Sequence, residues 1–292
     1  MTTIGFIGLG IMGNAMVRNL AEAGYPVIAF DRHPEKVEAV LRDGIRPGYS
    51  IADVTRQSAV IITMLPDGPN VLEVMTEEGG VLSAIRTGTI VVDMSSINPL
   101  TSKCIAEMCN NKGAFFLDAP VSGGQPKAID GTLAIMVGGD RLNFEKVLPL
   151  FKAMGSSVTL TGEVGSGNVT KLANQIIVAC NIAAMSEALV LAERCGVSPE
   201  VVFCAVREGL AGSNVLNAKA PMVVAKDFKP GFRIRLHQKD LRNAMATAES
   251  MKVALPLTSM VHQLLIASMN RGDGDLDHSA LIRLIASMSS KA

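Results

Sequence analysis

The run Gly8-Leu9-Gly10-Ile11-Met12-Gly13 constrains this chain more than any other segment. It follows an apolar stretch at 4–7 with strand character and opens a helical pattern at 15–23, closed by Gly24 where a left-handed cap is wanted. A glycine at 8 permits the tight turn. One at 10 lets backbone approach a pyrophosphate, and one at 13 lets helix and strand pack closely. The first-turn amides around Ile11 and Met12, with the helix dipole behind them, would hold the phosphate charge. A second strand pattern at 27–30 leads to Asp31, eighteen residues past Gly13, where a carboxylate can accept bonds from an adenosine ribose. Glycines that only punctuate turns would not bring strand, loop, helix, strand and acid in this order. The pattern is that of a dinucleotide site. Asp31 repels a 2′-phosphate and favours NAD, whereas Arg32 beside it can clamp that phosphate and admit NADP. The balance favours NAD.

The first half continues in the same style. Strand patterns at 59–64, 90–93, 115–118, 134–137 and 158–160 alternate with amphipathic stretches, which predicts βαβ units in a parallel, doubly wound sheet. After about residue 162 strand patterns stop. A proline-free apolar pattern at 168–195 predicts a helix about 40 Å long, and Ser198-Pro199-Glu200 caps the next one. Further helical patterns cover 214–225, 239–251, 257–270 and 279–287. The expected architecture is therefore a Rossmann-type α/β domain, 1–162, followed by an all-α domain, 163–292. Helices this apolar without a sheet to cover are expected to bury faces against another copy, as a homodimer or homotetramer.

Composition narrows the partners. Lysine plus arginine and aspartate plus glutamate each total 27, so no net field gathers nucleic acid or anionic lipid. The apolar run at 172–186 is interrupted by Asn174, Gln175 and Asn181 and is shorter than the ~20 residues of a membrane helix. No export signal is expected, and five cysteines without a C-x-x-C suit reduced thiols in a cytoplasm. The four histidines and the cysteines show no metal-ligand spacing, so no metal is expected and the histidines read as structural or surface residues.

Several strand ends carry candidate site residues. Leu65 and Pro66 follow one, and Ser96 follows another with a hydroxyl near the expected nicotinamide; either segment alone could be a turn. Ser122, Gly123 and Gly124 follow the strand ending at Asp118 and offer a hydroxyl and backbone amides to a carboxylate or carbonyl oxygen. Lys171, Asn174 and Gln175 fall at i, i+3 and i+4, placing three polar groups on one face of the apolar helix. A lysine near a helix N-terminus is disfavoured as a cation by the dipole. Desolvation and a neighbouring ammonium, with Lys239 as the candidate at the start of its helix, would lower its pKa toward that of a proton donor working near neutrality. Taken singly, either lysine reads more readily as a solvated residue at a helix start.

Four motifs settle the matter when read together. GFIGLGIMG, DAPVSGG, GSGNVTKLANQ and HQKDL, in this order and at these separations, resemble the β-hydroxyacid dehydrogenase family, which also includes 3-hydroxyisobutyrate dehydrogenase and relatives of 6-phosphogluconate dehydrogenase. KLANQIIVA, LAGS at Leu210 to Ser213, KPGFRI at Lys229 to Ile234 and DHSAL at Asp277 to Leu281 are similar to its semialdehyde-reductase branch. The resemblance implies hydride transfer between a nicotinamide and a small hydroxy acid. It also implies Lys171 as general acid or base, Ser122, Gly123 and Gly124 on the substrate, and Ser96 and Lys239 beside cofactor and active site. Many members carry asparagine four residues after the lysine. Here that place is Gln175, with Asn174 one residue earlier, and both are carried as candidates. A non-catalytic dinucleotide-binding scaffold would be expected to lose Lys171 or the glycines, and a purely structural oligomeriser would leave the first half without purpose.

Overall fold

The structure, a computed structural model, describes residues 2–42 and 44–289. Its chain divides into two compact units, Met1–Lys171 and Leu172–Ala292.

The first unit is built on nine strands: β1 (Ile4–Ile7), β2 (Val27–Phe30), β3 (Ile45–Pro47), β4 (Val60–Thr63), β5 (Ile90–Asp93), β6 (Phe115–Asp118), β7 (Val121–Ser122), β8 (Leu133–Gly138) and β9 (Gly155–Gly162). They join in the order β3-β2-β1-β4-β5-β6-β8-β7, with β9 on β8. From β3 to β6 every pairing is parallel. The central strands are apolar on both faces because helices cover both. Alternate residues accordingly feed two cores. Ile4, Phe6, Val27, Ala29, Val60, Ile62, Ile90, Val92 and Leu117 enter one, while Ile7, Ile28, Ile61, Val91 and Phe116 enter the other.

Two expectations are corrected here. The sheet is not wholly parallel, because β8 runs antiparallel to both β6 and β7. β6 and β7 lie on β8 in one continuous register and run in the same direction, and the chain reverses only through the short connection between Ser122 and Leu133, which has no room for the crossover a parallel neighbour requires. Strands β3 and β7 were also not anticipated; three and two residues long, they carry too little alternation to register as strands.

Among the described residues, all elements of the second unit are helical. The long helix spans Ser166–Arg194, 29 residues, and is followed by helices Pro199–Val206, Asn214–Val224, Ile234–Met251, Pro256–Asn270 and Leu281–Met288. By length and a mean hydropathy of 1.8, the long helix has what a membrane span needs, which the interrupted run at 172–186 does not suggest. Its Ala179, Ile182 and Ala183 instead pack with Leu241, Val261 and Leu281, and its Met185 and Leu189 with Leu216 and Ala220. Helix Ile234–Met251 begins five residues before Lys239. That residue therefore lies inside the helix and not at its start, because the turn at Phe232-Arg233 sets the boundary.

Candidate active site

The glycine loop takes the shape its sequence dictates. Gly8 has φ +101°, and a Cβ at Gly13 would run into the Gly8 carbonyl, so the turn closes only with glycine at both places. Helix Ile11–Glu22 starts at Gly10 with no side-chain cap and no acidic residue in its first turn. Its first amides, at Ile11 to Gly13, therefore receive nothing from the chain's own capping side chains, and a Cβ at Gly10 would meet open space. That donor set fits a dinucleotide pyrophosphate. A cleft of about 810 Å³ opens beside the loop, lined by Leu9, Gly10, Ile11, Asn14, Arg18 and Lys36 among others.

Asp31 stands at the end of β2 as expected, but it has local work as well. Its Oδ2 accepts from the Leu9 amide at 2.8 Å and its Oδ1 from the His33 amide at 3.0 Å, with Lys36 Nζ at 3.5 Å. The carboxylate thus ties the glycine loop to the strand beside it. Arg32 is exposed. Lys36, which sequence reasoning passed over, brings a second cation to this corner.

Strand register brings the next candidates to the same edge. The Met64 amide bonds the Ile7 carbonyl, Met94 the Thr63 carbonyl and Ala119 the Asp93 carbonyl, so the segments after β1, β4, β5 and β6 emerge side by side. Leu65 is half-buried and fixed by its amide on Ser95 Oγ at 2.9 Å, while Pro66 is exposed. Ser96 is half-buried and neighbours this bond. Ser122 closes β7, paired with Ala134 of β8, and Gly123 and Gly124, both with positive φ, begin the short helix Gly124–Ile129.

Beneath this edge lie two carboxylates that sequence reasoning did not assign. Asp93 and Asp118, both wholly buried, end adjacent strands. Asp93 Oδ1 accepts from Thr63 Oγ1 at 2.8 Å and from the Ser95 amide at 3.1 Å. Asp118 accepts from the amides of Gly165 and Asn168, each at 2.7 Å. Burial pushes both carboxyls up to about 6, against the bonds that favour their charge. Lys171 follows Asn168 by three residues in the long helix and is only 6% exposed, so the solvated reading of this lysine is set aside.

In the second unit Gln175, 3% exposed, is the best-held residue of the polar face. Its Nε2 donates to Asp240 Oδ2 at 2.5 Å, its Oε1 accepts from Asn174 Nδ2 at 2.8 Å, and its carbonyl is 3.1 Å from His237 Nε2. Lys239 Nζ lies 3.1 Å from Asp240 Oδ1. Asn174, Gln175, Lys239 and Asp240 therefore form one network. His237 and His278 face each other through Nδ1 at 2.9 Å, both buried and both edge-on to Phe232. A carbonyl only accepts, so His237 donates through Nε2 and accepts at Nδ1 from the Nδ1–H of His278. The two are buried as a pair, so the surface reading of the histidines does not hold for them.

A glycine loop with an acid at the next strand end, and a buried lysine on a helix bonded to the same sheet edge, define a nicotinamide-dependent oxidoreductase. The model for the NAD-binding domain of 6-phosphogluconate dehydrogenase matches residues 3–162, and that for the NAD-binding region of NADP-dependent 3-hydroxyisobutyrate dehydrogenase matches 165–285. The 2-hydroxy-3-oxopropionate reductase of Escherichia coli is 43% identical over 286 residues, covering 98% of each chain. Glyoxylate/succinic semialdehyde reductase 1 of Arabidopsis thaliana is 34% identical, covering 97% of this chain and 98% of its own. Among solved structures, the Mycobacterium tuberculosis 3-hydroxyisobutyrate dehydrogenase with L-serine superposes with a TM-score of 0.91 at 33% identity, over 98% of this chain and 99% of that one. The chain belongs to the β-hydroxyacid dehydrogenase family. It is an NAD(P)-dependent dehydrogenase or reductase.

Proposed function

We propose that the protein reduces tartronate semialdehyde to D-glycerate, with NADH as the favoured cofactor and Lys171 as the general acid. The burial of Lys171, one turn beyond an asparagine bonded to the sheet edge that carries the glycine loop, is the observation on which this rests. When bound, the nicotinamide supplies the hydride for the aldehyde carbon. Lys171 stabilises the growing alkoxide as an ammonium and passes its proton to that oxygen, so the same group acts electrostatically and as an acid. Ser122, Gly123 and Gly124 hold the substrate carboxylate through hydroxyl and amides, and Asn174 and Gln175 orient the substrate from the lysine's own helix. Leu65, Pro66 and Ser96 are assigned to the cofactor, Lys239 is given the same role by the family resemblance alone, and Asp31 favours an unphosphorylated ribose.

The substrate choice follows the semialdehyde-reductase motifs and the 43% identity to the Escherichia coli reductase. Similarity to the Arabidopsis reductase and to 3-hydroxyisobutyrate dehydrogenases supports a second reading, a short semialdehyde or 3-hydroxyisobutyrate as substrate. The deciding experiment measures kcat/KM for tartronate semialdehyde, glyoxylate, succinic semialdehyde and 3-hydroxyisobutyrate, with NADH and NADPH (or their oxidised forms) in parallel. Tartronate semialdehyde with NADH is expected to lead. A higher value for another compound transfers the assignment to it, and no turnover with any of them would favour a non-catalytic dinucleotide-binding scaffold.

The protein is further proposed to act in the cytoplasm as a homodimer or homotetramer, using exposed apolar residues such as Ile177, Leu191 and Val201. Light scattering is expected to return two or four times the 30.7 kDa chain mass, and a monomer would remove the oligomer.

A further inference from the structure

We propose that Asp118 is the positioning residue for Lys171: its carboxylate ties the first turn of helix Ser166–Arg194 to the end of β6 and thereby sets where the lysine ammonium stands. The inference rests on Lys171 being the proton donor proposed above. Four hydrogen bonds and one close packing contact support it, all within the first unit. Asp118 forks its two oxygens, Oδ1 to the Gly165 amide and Oδ2 to the Asn168 amide, each at 2.7 Å. Asn168 is strapped in turn, its Oδ1 accepting from the Ile97 amide at 3.0 Å and its Nδ2 donating to Ser102 Oγ at 3.1 Å. Between the two bonded amides, Gly167 lies so close to the carbonyls of Met136 and Asp118 that any Cβ there would collide with them.

An ordinary helix cap satisfies one orphan amide through one oxygen, which leaves the helix free to turn about its axis. A fork onto amides three residues apart fixes rotation as well as height. Rotation matters because each residue advances the helix by about 100°, so a small twist at Asn168 swings the Lys171 side chain sideways by ångströms. The anion also suits its place, since the helix dipole and two charge-assisted bonds favour it. Burial opposes that charge and raises the carboxyl to about 6, so the ionised fork is kept against a penalty that a neutral cap would avoid. A device needed only to end a helix would not require it.

The test uses Asp118→Asn in the full chain. The substitution keeps the shape but turns one acceptor into a donor facing another donor. Hydrogen exchange at the Gly165 and Asn168 amides is expected to accelerate at least ~10-fold, and kcat for tartronate semialdehyde with NADH to fall on the order of 10- to 100-fold, the scale of an ångström misplacement. KM for the aldehyde and Kd for NADH are expected to stay within about twofold. Faster exchange with wild-type kcat overturns positioning, and unchanged exchange overturns the clamp itself. Should Asp118→Asn not fold, Asn168→Ala removes the second strap and is expected to lower kcat several-fold with Kd for NADH unchanged; an unaltered kcat there also overturns the proposal. Wild-type turnover in Lys171→Ala would overturn the donor reading, and this proposal with it. The two failures are told apart by which variant keeps its turnover.

Discussion

Lys171→Ala is expected to lower kcat by at least ~100-fold while leaving the Kd for NADH nearly unchanged, because a positioned general acid contributes roughly 100- to 10,000-fold. The glycine loop assigned to the cofactor owes its shape to Gly8, Gly13 and Asp31. The lysine is 6% exposed, so water reaches it poorly as a substitute donor. Lys171→Arg should fare little better, since a guanidinium keeps its charge and its proton throughout the working range. Steady-state kinetics on the folded variants, with NADH binding followed by fluorescence, decide the matter. Full turnover in a folded Lys171→Ala protein would remove the residue from the chemistry.

The second large effect concerns stability. Asp277→Ala is expected to destabilise the helical unit by about 3–5 kcal/mol, the range for removing one partner of a buried ion pair. Asp277 is wholly buried, and Lys219 Nζ lies 3.0 Å from each of its oxygens with a side chain only 16% exposed. The same carboxylate accepts from the amides of Gly231, Phe232 and Ser279 and from Ser279 Oγ. Burial works against its charge, but His278, Lys219 and these amides together hold the carboxyl below its ordinary value. Alanine would leave an ammonium and three amides without their acceptor in one place. Calorimetry should show the melting temperature lowered by roughly 10 °C. Pairing Asp277→Asn with Lys219→Met is expected to recover part of the loss, since no buried charge is then stranded. A drop below about 2 °C in Asp277→Ala would mean that the pair contributes little.

The parts legible in the sequence are those encoded locally. The glycine loop, the first two strands and the helix start at Ser198-Pro199 depend on neighbours a few residues away, and their sequence spacing matches the observed elements. Helices Asn214–Val224 and Pro256–Asn270 fall within one residue of their periodic patterns for the same reason. Long-range pairing decided the rest. Asp118 reads as the first letter of a turn motif, and its partners lie 47 and 50 residues further on. His237 and His278 are 41 residues apart, and no spacing rule links them. The antiparallel return of β8 depends on the connection between Ser122 and Leu133, and the two residues of β7 that precede it carry no period to read. For Asp118 a signal was present: an acid ending an apolar strand has to find donors, and the glycines of GSG offer bare amides.

The buried pair of strand-end acids has a thermodynamic consequence for the first unit. Folding raises both carboxyls from 3.8 to about 6, so the folded chain binds protons more tightly there than the unfolded one. Linkage then sets the sign: their contribution to stability is full below pH ~4 and is lost as the pH rises through 6. Taken singly, each shift corresponds to about 3 kcal/mol forgone at neutral pH. The nucleotide-binding unit therefore keeps its anions in readiness at a standing expense in folding free energy, one that mild acid would relieve.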